Sequence, residues 1–439
     1  MFKGNLLEKI RTKFPRAAID LNGQPRIFFD NGTGTLVVGK AAKAETEVRI
    51  DCSANIGAGF DESVKAEEVI HKGRKAVADL LNAASSETIV TGESATALLF
   101  NLSYAIGKEL TGTENVVTTE FEHYANISPW IELMERRKIQ KVKFASLNKD
   151  DGTLNMDHLQ SLIDSNTKII SVTAASNVLG TKSPLEKIGK MAKEVDAYFV
   201  VDAVHHIAHG PIDVKALNCD FLVFSGYKLF SSHGSFLYGK KDHLETLNPY
   251  KVAPASDHIP WKWERGTRNQ SIFAAIEGVI DHLVWISDHV QSDYKERYPE
   301  GSWRRRSLKV ALSSIEKYEE ELSKAILHGL NGIKGLKDMP MVKVYGLTDL
   351  SRLKERDPTF AFKVNNMPDH EVAMNLWTRG GIAARAEDYY SRALKTYNQQ
   401  TMIRISLVHY NTLEEVAKFL TTLHEICQAR TPASKKRPK

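Results

Sequence analysis

Cysteine is scarce in this chain: Cys52, Cys219 and Cys427 are the only three in 439 residues, far apart and without metal-ligand spacing. Their scarcity excludes a disulfide framework, gives no reason to expect a metal site, and suits a reducing compartment, so a cytoplasmic location is expected. Charge of one sign is equally scarce. The 59 basic residues nearly cancel the 54 acidic ones, leaving +5. Spread over the chain, that excess is too weak a field to argue for nucleic acid, and no such partner is expected. No apolar run approaches the length of a bilayer span, and the opening MFKGNLLEKIRTKF reads as an amphipathic helix without a signal peptide's apolar core. No membrane association is expected. The only basic run, TPASKKRPK, reads as a solvated, disordered tail over residues 431–439 or as a localisation signal.

Apolar residues at 42% and charged residues at 26% describe an ordinary globular protein. From about residue 61 helical and strand patterns alternate. DESVKAEEVIHKGRKAVADLLNA repeats its apolar residues at helical spacing, and TIVTG reads as a strand. Helix SATALLFNLSYAIGKEL, strand NVVTT, helix ISPWIELMERR, strand KIISVTAAS, helix PLEKIGKMAKEVD and strand AYFVVDAV follow, then FLVFSG and SFLYGK. Short apolar strands separated by helices predict an α/β fold with a mostly parallel central sheet covered on both faces. Beyond about residue 265 the rhythm changes to a long helix, SLKVALSSIEKYEEELSKAILHGLNGI, short strands at VKVYG, FAFKV and RISLV, and closing helices. The expected division is an N-terminal segment 1–29 packing on the small domain, a large domain 30–290 and a smaller α+β domain 291–430.

Ligands of open α/β sheets sit at the carboxyl ends of the strands, so residues there are the candidates. TGESAT opens a helix whose free N–H groups suit a phosphate, although Ser94 as a simple cap explains the stretch equally well. FEHYANISPW offers His123 as a flat ring for stacking or as a structural histidine, and ASNVLGTKSP offers Asn177 as an amide donor or a turn residue. Asp202 in VVDAVHH closes a buried strand, and an unpaired carboxylate there is costly. It needs a cation. A protonated pyridine nitrogen is one, and Lys228 in FSGYKLF, on the next strand, can form a Schiff base with the aldehyde of the same ring. Apolar neighbours would depress the lysine's pKa for that task.

These residues resemble those of class V, fold-type I pyridoxal-phosphate enzymes, in particular the cysteine desulfurase-like subgroup. The resemblance rests on VVDAVHH…DFLVFSGYKLF, on FFDNGTG, TGESATALL, EHYANISPW, SNVLGT and WERGTRNQ, and on MIRISLVHYNT. It implies pyridoxal 5'-phosphate held by Lys228, with Asp202 at the pyridine nitrogen, His123 on the ring, Asn177 near its oxygen and His205 beside it. Lys228, His123 and Asp202 would be catalytic. Ala95, Thr96, Ser225 and Tyr227 would hold the phosphate, with Thr267 reaching across from a second subunit of a homodimer. Asn31 and Arg404 would bind an amino-acid or amine substrate. Tyr390 stands where the desulfurase loop carries its sulfur-accepting cysteine, which turns the expected reaction toward transamination or carbon–sulfur lysis. True cysteine desulfuration, epimerisation and a catalytically silent dimeric binding protein are the alternatives.

Overall fold

The computed structural model describes residue 2, residues 5–290, residue 298 and residues 301–429. The expected disordered tail lies outside the described residues. In chain order the strands are β1 (Ile27–Phe28), β2 (Ile89–Gly92), β3 (Asn115–Thr119), β4 (Lys141–Ala145), β5 (Thr167–Thr173), β6 (Tyr198–Asp202), β7 (Phe221–Ser225), β8 (Ser235–Gly239), β9 (Val342–Tyr345), β10 (Thr359–Val364), β11 (Ile382–Ala383), β12 (Arg385–Glu387) and β13 (Met402–Ser406). Seven of them form one sheet in the order β2-β8-β7-β6-β5-β3-β4. Only β8 runs against its neighbours, so the sheet is mostly parallel.

Two-residue periodicity splits the side chains of this sheet between two cores. Val200, Phe221 and Val223 pack with helix Ala95–Gly107 and Trp130 on one face. Phe199, Val201, Leu222 and Phe224 belong to the core on the other, shared with helices Asp61–Leu81 and Gln270–His289. Burial on both faces explains why these strands read as apolar runs. The edge strand β4, KVKFA, escaped the sequence reading because exposed Lys141 and half-buried Lys143 interrupt its apolar pattern, as suits an edge. Helix Gln270–His289 was also passed over; most of its positions are buried, which blurs a one-sided stripe.

The second sheet, β12-β13-β10-β9, is antiparallel and packs its apolar face against helices Asp369–Gly380 and Leu413–Gln428. A reciprocal cap fixes the start of the last helix, Thr412 accepting from the Glu415 amide and Glu415 from the Thr412 amide. Helix Trp303–His328 joins the two cores, since Leu308–Ile315 packs in the larger and Tyr318–Leu327 in the smaller. It stops at Gly329, whose φ of 84° favours glycine, short of the longer helix expected from the sequence. The N-terminal segment bridges both units as well. Its β1 pairs with β11, while Ile10 and Phe14 sit in the larger core.

Candidate functional site

Asn177, Asp202 and Lys228 end or follow β5, β6 and β7 at the carboxyl edge of the large sheet. Asp202 ends β6 and is only 4% exposed; its Oδ1 accepts from the Val204 amide at 2.9 Å. Among the described residues no cation lies within ion-pair distance of it. Burial drives its pKa up to about 6, opposed by that amide and by the charge of Lys228. Lys228 sits in the short turn Gly226–Lys228 directly after β7. Burial, reinforced by Arg404, lowers its pKa to about 7, so its amine is available as a free base near neutrality. Its Nζ donates to the carbonyl of Gly32.

The turn that presents Lys228 is held by the residue that follows FFDNGTG. Thr35 donates through its amide and hydroxyl to Tyr227 O and its hydroxyl accepts from the Phe230 amide at 2.8 Å. Phe230 takes a φ of 58°, uncommon for a bulky residue and held here by that hydrogen bond. Gly32 has no room for a side chain: an added Cβ would lie 2.5 Å from Ser406 Oγ and 3.0 Å from Arg404 Cζ.

His123 follows β3, half-buried, with Nδ1 accepting from the Ala125 amide at 3.0 Å. Burial, then the charges of Lys228 and Arg404, lower its pKa to about 4, leaving a neutral ring. Asn177 donates to Tyr389 O at 3.1 Å, while its buried Oδ1 has no partner. The buried Nε2 of His205 has none either. Ser94 caps helix Ala95–Gly107 by accepting from the Ala97 amide, so the N–H groups of Ala95 and Thr96 at the first turn point out without intrahelical partners. Ser225 Oγ lies 2.8 Å from Ser235 Oγ, and the Tyr227 ring stacks on His233.

Arg404, 2% exposed on β13, donates to Asn177 O at 2.8 Å and to Thr33 Oγ1 at 2.7 Å, and lies 3.5 Å from Asp30. Its guanidinium sits 4.1 Å from the centroid of Tyr389, and its buried Nε is unpartnered. Asn31 is less free than its expected substrate role requires. Its Nδ2 donates to Phe28 O, Ser406 O and Asn411 Oδ1, and its Oδ1 accepts from Tyr410 OH, so the side chain ties β1 to the end of β13 and the residues after it. Thr267 lies apart, exposed on the turn before helix Gln270–His289.

Several groups at the cleft were missed in the sequence. Glu122, fully buried beside His123, accepts from Thr119, Asn126 and the Thr173 amide, and burial raises its pKa to about 8. Asp30 and Thr33 lie inside the quoted FFDNGTG, and Arg385 and Tyr389 inside ARAEDYYSR; only their partners reveal their role. Arg385 pairs with Asp30 at 2.9 Å. Tyr389 and Tyr390 both have positive φ, 56° and 48°, and the backbone of this loop bonds to Tyr124 and Glu122. Tyr390 itself is 68% exposed, with its ring 6.0 Å from that of His123.

An anion cradle at a helix start, an unpaired buried carboxylate, a deprotonatable half-buried lysine and unpartnered Asn177 and His205 atoms together fit a phosphorylated pyridine aldehyde. Comparison with known proteins agrees. A family model described as aminotransferase class-V matches residues 27–297 and 307–419. Proteins named cysteine desulfurase from Enterobacter sp. (strain 638) and Pectobacterium carotovorum are 30% and 29% identical, each over 96% of this chain and 98% of the relative. The apo structure of a cysteine desulfurase from Thermococcus onnurineus aligns with a TM-score of 0.82 at 25% identity, covering 98% of this chain and all of that one. A cysteine desulfurase structure from Escherichia coli shares the fold with a TM-score of 0.77 at 21% identity, covering 96% of this chain and 98% of that one. The architecture is thus that of fold-type I, and the chain belongs to the aminotransferase class-V family of pyridoxal-phosphate-dependent enzymes.

Proposed function

We propose that this enzyme acts on an amino acid or related amine by transamination or carbon–sulfur lysis, with Lys228 as the cofactor lysine. The observation that carries the reading is the pairing of a half-buried, charge-weakened Lys228 with a buried Asp202 that has no cation within ion-pair distance among the described residues. When bound, pyridoxal phosphate supplies an aldehyde for the substrate's amine and a ring that takes up electrons. Lys228 Nζ, once free, takes and returns the substrate's α-proton. Asp202 would set its carboxylate against the positive ring nitrogen, and neutral His123 would stack on the ring. The amides of Ala95 and Thr96, with Ser225 and Tyr227, would hold the phosphate. Arg404 clamps the substrate carboxylate through Nη1 and Nη2, exchanging Asn177 O and Thr33 Oγ1 for carboxylate oxygens.

Against persulfide formation stand Tyr390 in the loop and the state of the cysteines. Cys52, Cys219 and Cys427 are all buried, and burial pushes the Cys219 thiol up to about 12, far from a thiolate nucleophile. The names of the relatives favour a second reading, cysteine desulfuration proper. We further infer a homodimer in which exposed Thr267 reaches the partner's phosphate site, and a division into a large cofactor domain over 30–290 and a small one over 291–430.

The test is the visible spectrum of the cofactor-loaded protein during addition of cysteine, alanine and aspartate in turn, followed by product assay. Keto acid with retained amino group on the cofactor supports transamination; keto acid, ammonia and sulfide from cysteine support lysis. Alanine with enzyme-bound persulfide would establish the second reading, and no spectral response to any amino acid or amine would refute both.

A further inference from the structure

Behind His205 lies a buried polar cluster that the proposed reaction does not use. One ring nitrogen of His205, one of His209 and one carboxylate oxygen of Asp357 lie within 4.8 Å of one another, all three residues buried. His209 Nδ1 is 2.8 Å from Glu319 Oε2 on helix Trp303–His328, so the chain of polar groups crosses between the two units. Two hydrogen bonds of about 2.8 Å meeting at a tetrahedral angle span about 4.6 Å, which makes the triangle one water wide. His205 Nε2 is buried and unpartnered, which suits it to be the corner that His205 contributes.

We propose that His205 is a positioning residue for the cofactor ring, held in one tautomer by a buried chain running from its Nε2 through a bridging water to His209 and Glu319. Asp357 is the water's third partner. The proposal rests on Lys228 being the cofactor lysine. The water donates to Nε2, which leaves the His205 proton on Nδ1. The charges around the chain favour this arrangement. Burial opposes a charge on His209, yet Glu319 and Asp357 outweigh it and raise its pKa, so a proton is shared across the His209–Glu319 contact. Asp357 is anchored by His206 at 3.0 Å and faces Lys182 at 3.7 Å, and Lys182 in turn binds Glu316 at 2.6 Å. On the cleft side, burial comes first and the charges of His209, Lys228 and Arg404 add to it in holding His205 neutral.

The experiment is a pH titration of the visible band of the cofactor-loaded enzyme, compared among wild type, Glu319→Gln, His209→Asn and His205→Gln. Glu319→Gln takes away the group that keeps a proton on His209 and so frees the His205 tautomer, which is expected to move the band's midpoint by half a pH unit or more with cofactor content unchanged. A midpoint within 0.1 of wild type in both Glu319→Gln and His209→Asn, at full loading, would overturn the chain while leaving the Lys228 reading intact. A wild type that binds the cofactor without a visible band would instead sink the Lys228 reading. Should the variants fail to fold, ¹⁵N shifts of the histidines in the apo wild type decide: an unprotonated Nε2 on neutral His205 is expected, and a protonated one overturns the proposal. Elemental analysis finding one transition metal per subunit, lost in His209→Asn, would also overturn it.

Discussion

Asp202 and Asp357 are both aspartates buried to within a few per cent, yet one is left without a protein cation and the other is surrounded. Asp357 has His206 at 3.0 Å and Lys182 at 3.7 Å, and these partners, against the pull of burial, hold its carboxyl well below the usual carboxylate range. Asp202 has one amide hydrogen bond, and burial pushes it above that range. The arginines repeat the contrast. Arg356 spends its guanidinium on the carbonyls of Leu347, Leu179, Thr359 and Asp357, whereas Arg404 leaves Nε unpartnered and holds groups a carboxylate can replace. A buried charge fully matched by protein serves the fold, and one left short of partners awaits a ligand.

The sharpest break of that comparison is Lys228→Ala. Turnover is expected to fall by at least about 10³-fold, with loss of borohydride-trapped cofactor, read by mass spectrometry of the labelled peptide. Label on another lysine would dismiss the assignment. Next comes the aspartate pair itself. Asp357→Asn breaks a buried ion pair and is expected to cost about 3 kcal/mol in denaturant unfolding. Asp202→Asn should leave apo stability at pH 7 unchanged or raised while slowing turnover about 10²-fold. Equal losses of stability in the two variants would erase the distinction.

The same pair has opposite pH signatures in the apo protein. The folded pKa of Asp357 is depressed, so its contribution is present above the unfolded value of about 3.9 and is lost as pH falls through the folded value. The folded pKa of Asp202 is raised, so stability is lost as pH rises from about 4 through about 6. Thermal melts across this range should show Asp202→Asn reducing the fall in stability between about pH 4 and 6, while the part due to buried Glu122 remains. Arg404→Lys keeps charge without the planar fork and should raise KM for the amino acid about 10- to 100-fold, by the loss of a charge-assisted bond. The smallest expected effect is that of Tyr390→Cys on stability, within about 0.5 kcal/mol at so exposed a site. Appearance of a persulfide on that cysteine would mean that the loop lacks only the thiol.

Much of the large sheet was legible because burial on two faces writes itself as short apolar runs, and Asp202 and Lys228 stood out as charges ending or following such runs. Edge strand β4 and helix Gln270–His289 were not, since surface lysines erased one pattern and near-complete burial the other. Asn31 resembles a substrate residue in its motif, yet its amide is consumed in tying β1 to the end of β13.

From sequence alone came the α/β alternation and the cofactor-type residues at strand ends, because periodicity and burial are local properties of the chain. Which of those residues keep a free valence was decided by the tertiary structure. Arg404 meets Asn177 and Thr33, and His209 meets Glu319, across more than a hundred residues of chain. Whether a charge is satisfied depends on what the folded chain brings within about 3–4 Å of it, and no local pattern encodes that distance.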